Sequence, residues 1–66
     1  MRFIKLKDVM SMTGLPRSSV YWAIAKGEFP TQIKVSTRSV VWLADEIEAW
    51  MENCITSRNN SEPSKQ

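Results

Sequence analysis

The sequence predicts a winged helix-turn-helix, mostly α with a small β-hairpin and three helices, and three observations carry that expectation. Thr13-Gly14-Leu15-Pro16 interrupts two short amphipathic segments at a tight turn. Gln32-Ile33-Lys34-Val35 and Val40-Val41-Trp42 are β-type runs on either side of the polar connection Ser36-Thr37-Arg38-Ser39. Leu43, Ile47, Trp50, Met51 and Cys54 then form an apolar stripe at helical spacing. With 66 residues and 42% hydrophobic content, the chain supports one small core, near the size at which a single core is marginally sufficient.

In order, residues 2–6 alternate polar and apolar and read as an extended lead-in or short edge strand, with Phe3 and Ile4 as core contacts. Residues 7–12 read as a two-turn helix that buries Leu6, Val9 and Met12 and leaves Lys5, Lys7, Asp8 and Ser11 in water. Gly14 ends it, because glycine takes a positive φ without a Cβ clash. Pro16 begins the second helix, since its fixed φ suits a first-turn position. That helix runs to about Lys26 and stops at Gly27. Val20, Ala23 and Ile24 share its buried arc, with Ser18, Trp22, Ala25 and Lys26 opposite and Arg17, Tyr21 and Ser19 at the edges.

Phe29 is expected to plug the core and Pro30 to prevent the helix from resuming. The hairpin, or wing, over residues 33–42 rests on hydrophobic pattern, because its turn has no Asn-Gly or Asp-Gly. Asp45, Glu46 and Glu48 then crowd the first turn of a third helix over residues 45–53, where the helix dipole favours negative charge. Trp42 and Trp50 are expected in the core, and Cys54 at its edge as a small apolar residue. From about Thr56 the composition turns to Ser, Asn, Pro and charge, which places a domain at residues 1–54 and a disordered tail at residues 55–66.

Charge is unevenly divided. Residues 1–40 hold seven basic and two acidic side chains, net +5, whereas residues 41–66 hold two basic and five acidic ones, net −3. A basic half suits a nucleic-acid partner, because phosphate neutralisation supplies most sequence-independent affinity; ordinary solvated charge is the alternative. One cysteine and no histidine argue against an internal disulfide, a Cys/His metal cluster or a metal cofactor. No apolar run approaches membrane-spanning length and no signal-peptide pattern opens the sequence, so a soluble, bacterial, cytoplasmic and nucleoid-associated protein with no membrane partner is expected. The carboxylates at the start of the third helix have no accompanying nucleophile or base, so no enzyme is expected.

The residues Lys7-Asp8-Val9, Thr13-Gly14-Leu15, Arg17-Ser18-Ser19-Val20-Tyr21, Lys26-Gly27-Glu28-Phe29-Pro30, Ser36-Thr37-Arg38-Ser39, Trp42 and Glu46-Ile47-Glu48-Ala49-Trp50 carry a resemblance. Over roughly residues 2–52 the chain resembles the AlpA-type prophage regulators, small winged-helix proteins akin to phage excisionases and to the DNA-reading head of the MerR family. The resemblance implies a transcriptional regulator of prophage or mobile-element genes, for example of integrase expression, or an excisionase-type architectural factor. Two positions depart from the family pattern. Pro16 stands where a capping serine is usual, a loss of about 1 kcal/mol, and Trp22 stands where a basic residue usually follows the tyrosine. Both bear on which DNA sequence is read.

The candidate DNA-binding residues are Arg17, Ser18, Ser19, Tyr21, Trp22, Lys26, Lys34 and Arg38. Arg17 suits a guanine edge or a phosphate, and Ser18 and Ser19 suit either the groove or the helix's own N–H groups. Tyr21 can pack at the core edge with its hydroxyl on phosphate. Trp22 can stack on the hairpin, the favoured expectation, meet thymine methyls, or contact a protein. Lys34 and Arg38 reach backbone or minor groove from the wing, or simply solvate it. Double-stranded DNA is the expected partner, with self-association or cooperative binding on DNA and contact with integrase or RNA polymerase as further expectations. The rival from another class is a protein-interaction module that uses Trp22 and the acidic third helix.

Overall fold

A computed structural model, which describes residues 1–61, has the element order β1 (Phe3–Ile4), α1 (Leu6–Thr13), α2 (Arg17–Ala25), β2 (Ile33–Lys34), β3 (Val40–Leu43) and α3 (Ala44–Ser61). The architecture is the winged helix-turn-helix, mostly α with a small antiparallel sheet. Strand order is β1-β3-β2, so the lead-in strand occupies the free edge of the hairpin's second strand. Phe3 lies opposite Leu43 and Ile4 opposite Trp42; on the other side Ile33 lies opposite Val41 and Lys34 opposite Val40. Successive strand residues face opposite ways, and so Ile4 enters the core while Phe3 stays 55% exposed. The expectation of two core contacts here is thereby corrected to one.

Helix α1 buries Val9 completely and packs Leu6, Met10 and Met12 against the core. Its end is closed twice. Gly14, at φ 75°, donates its N–H to the Met10 carbonyl at 2.8 Å, and the Thr13 hydroxyl donates to Val9 O at 2.8 Å while accepting the Leu15 N–H at 3.3 Å. Pro16 has φ −72° and ψ 165°, which is extended, so it precedes the helix instead of beginning it. Arg17 is the first helical residue, because the turn needs one more extended position before the chain can coil.

Helix α2 buries Val20 and packs Ala23 and Ile24 on the core, the arc the spacing predicts. Its exit is a Schellman turn: Gly27 at φ 75° donates to Ile24 O at 2.9 Å, and Glu28 donates to Ala23 O at 2.9 Å. The next residues are clamped by two indoles. Trp42 Nε1–H donates to Pro30 O at 3.1 Å, Trp50 Nε1–H donates to Glu28 O at 2.8 Å, and the Phe29 ring meets Trp50 edge-on at 4.7 Å between centroids. The core gathers Ile4, Val9, Val20, Phe29, Trp42, Ala44 and Ile47 from every element except β2.

Strand β3 runs without a loop into α3, where the Ala44 N–H donates to the Arg2 carbonyl at 2.7 Å and ties the helix start to the chain's first strand. Leu43 therefore closes the strand instead of opening the helical stripe. Ile47, Trp50 and Met51 face the core, whereas Cys54 is exposed, because by that turn the helix has passed the last residue it can cover. The core-edge placement of Cys54 is corrected accordingly. Helix α3 continues through residues 55–61, beyond the expected domain boundary, and the remainder of the expected tail, residues 62–66, lies outside the described residues. Among the described residues, no helix is long and apolar enough to cross a membrane.

Candidate nucleic-acid interface

The outward side of α2 follows from its inward one. Once Val20, Ala23 and Ile24 are committed to the core, the helical period turns Ser18, Trp22, Ala25 and Lys26 to solvent, and all four are exposed. Arg17 is exposed at one edge of this face, with its guanidinium 5.5 Å from the centroid of the half-buried Tyr21 ring. Tyr21 in turn meets the buried Trp42 edge-on at 6.2 Å. A line of contact thus runs from the core tryptophan through Tyr21 to a surface cation. It positions Arg17 through packing that a flexible solvated side chain would lack.

At the C-terminal end of the same face, Lys26 Nζ sits 4.0 Å over the Trp22 ring and 3.4 Å from Glu28 Oε1. Trp22 is 65% exposed, and its ring partner is Lys26 of its own helix. The favoured expectation that it stacks on the hairpin is corrected, since that indole faces solvent and not the wing. The Ser18 and Ser19 hydroxyls have no hydrogen-bond partner among the described residues, and no side-chain bond caps α2. They do not serve the helix N–H groups, one of the two roles open to them in the sequence.

Lys34 and Arg38 are exposed, the first on β2 and the second in the hairpin turn, where the Arg38 N–H donates to Ser36 Oγ at 3.4 Å. Val35 and Ser36 N–H groups both converge on the Ser39 carbonyl, at 3.0 and 3.3 Å, which closes the turn without Asn-Gly or Asp-Gly. Among the described residues, Arg17, Lys34 and Arg38 make no ion pair, so each charge is available to an external anion. The structure brings Arg17 together with Tyr21, and Trp22 with Lys26, in two separate pairs.

Two participants escaped the sequence reading of the site. Ala25 contributes an exposed methyl beside Trp22, which helical spacing does signal, and Glu28 holds Lys26, which requires the Gly27 turn to bring it back. An open cleft of about 630 Å³ also lies between the loop after α2 and α3, with Phe29, Pro30, Glu46, Ala49, Trp50 and Asn53 among its walls. No sequence pattern marks it, because its two walls are 15 or more residues apart along the chain.

Residues 2–55 match the family model described as Prophage CP4-57 regulatory protein (AlpA). The protein named Uncharacterized protein ORF88, of Enterobacteria phage P4, is 44% identical over 57 residues, which cover 86% of this chain and 65% of that one. The chain therefore spans just under two thirds of the length of this relative.

Proposed function

Because the chain belongs to the AlpA family of prophage regulatory proteins, we propose that its regulatory role is exercised as a sequence-specific DNA-binding transcription factor acting on prophage or mobile-element genes. In this reading α2 enters the major groove, with Arg17, Ser18, Ser19, Tyr21, Trp22 and Lys26 on or beside the bases, while Lys34 and Arg38 hold backbone from the wing. The observation that carries it is the outward face of α2, a solvent-exposed helix flank bordered by cations and braced from behind by Trp42 through Tyr21. Neither a nucleophile nor a general base is needed for such a role. DNA in a bacterial cytoplasm is the partner it serves.

A titration of the full chain against duplexes selected from a random pool, read by fluorescence anisotropy, tests the reading. Tight binding to a selected sequence is expected, with affinity falling as salt rises by about 0.9 in log–log slope per phosphate neutralised. Lys34→Ala should weaken all sequences alike and reduce that slope by about 1, whereas Arg17→Ala should flatten sequence preference. Absence of binding at low ionic strength, or binding indifferent to salt, sinks the proposal. The cleft beside α3, walled by Glu46 and two aromatic rings, supports a second reading, a contact with integrase or RNA polymerase. Its signature is a Glu46→Lys variant that keeps DNA affinity and loses regulation.

A further inference from the structure

The exposed strip of α2 is poor in hydrogen-bonding groups and rich in apolar surface. Ser18, Trp22 and Ala25 lie side by side at helical spacings of four and three. The indole is the large feature of the strip, and a 65% exposed tryptophan on a helix with a filled core behind it serves no packing purpose there. It is also held in place. Lys26 Nζ covers one part of its ring at 4.0 Å and is itself anchored to Glu28 at 3.4 Å, in a loop fixed by the Trp50 bond to the Glu28 carbonyl. Such a side chain has less rotamer freedom to lose on binding than an unsupported one.

The surroundings argue for a polyanion and against an apolar protein partner. Helix α2 carries no carboxylate, Arg17 lies beside the strip and makes no ion pair among the described residues, and the nearest carboxylate, Glu28 in the loop after the helix, is paired with Lys26. Within a major groove, the apolar feature of a base edge is the thymine 5-methyl group, and small or flat apolar side chains are what meet it. We propose that Trp22, with the Ala25 methyl beside it, is a specificity-determining contact that reads thymine through its 5-methyl group, and that Lys26 and Glu28 are positioning residues that hold the indole for this contact. This rests on the entry of α2 into the major groove proposed above.

The test replaces each thymine of the selected duplex, one at a time, by deoxyuridine, which keeps base pairing and removes the methyl alone. At one or two positions the wild-type chain should bind about fourfold more weakly, the loss that follows from one buried methyl group. Trp22→Ala, checked for native circular dichroism, should bind the parent and substituted duplexes equally, whereas Lys26→Gln should lower affinity for both and keep part of the difference. Wild-type binding indifferent to deoxyuridine at every position overturns this inference while leaving DNA recognition intact. Thymine sensitivity that survives in Trp22→Ala overturns it too, and no binding to any duplex overturns both.

Discussion

Trp42 and Trp22 are the same residue in opposite settings. Trp42 is fully buried on β3, paired across to Ile4, bonded through its indole N–H to Pro30 and capped by the edge of Tyr21. Trp22 faces solvent with a lysine on its ring. Tyr21 carries the Trp42 packing outward as far as Arg17, touching the indole on one side and the guanidinium on the other. What separates them is whether the indole's apolar area has been removed from water by folding. Where it has, the residue stabilises the scaffold; where it has not, the area remains available to a partner.

Substitutions can break or sharpen this division. Trp42→Ala should be the most damaging, at about 3–5 kcal/mol, a large part of the stability of so small a domain; denaturant unfolding would show a midpoint shifted far down or no cooperative transition. Gly27→Ala should cost about 1–2 kcal/mol from the left-handed backbone alone, since a Cβ there meets nothing within 4 Å. It should also misplace Glu28 and so loosen Lys26 over Trp22. Trp50→Phe removes the bond to the Glu28 carbonyl and should cost about 1 kcal/mol or less, read by the same unfolding curve. Trp22→Ala should change stability by no more than about 0.5 kcal/mol. If its unfolding midpoint fell as far as that of Trp42→Ala, the division between scaffold and surface would be wrong.

Members of the AlpA family are prophage regulatory proteins by description, and the match spans residues 2–55, which includes both the core tryptophan and the exposed helix face. Pro16 and Trp22 shape that face of α2. The first leaves α2 without a side-chain cap, and the second supplies the exposed indole.

Most of the fold was legible in local chemistry. Gly14 and Gly27 mark helix ends because each takes a φ of 75°. The Val20, Ala23 and Ile24 arc marks the buried side of α2, because the helical period leaves no other continuous apolar arc. Residues 33–42 read as a hairpin from two β-type runs around a polar turn, and the register bears the pairing out. Boundaries were less legible. The extended ψ of Pro16 and the continuation of α3 to Ser61 depend on how the turn and the helix start are tied to neighbours, as Ala44 is to Arg2.

By itself, the sequence determined the three helices, the wing, the inward arc of α2 and the uneven charge, all of which depend on residue type and spacing along the chain. Tertiary structure alone decided that β1 joins β3, that Phe3 and Cys54 face water, and that Trp22 stays 65% exposed. It also opened the cleft against α3. These outcomes depend on which surfaces meet once the elements are assembled, and no local pattern encodes that choice. Periodicity says which side of an element is apolar; only packing says how far that side is covered and what remains exposed to bind.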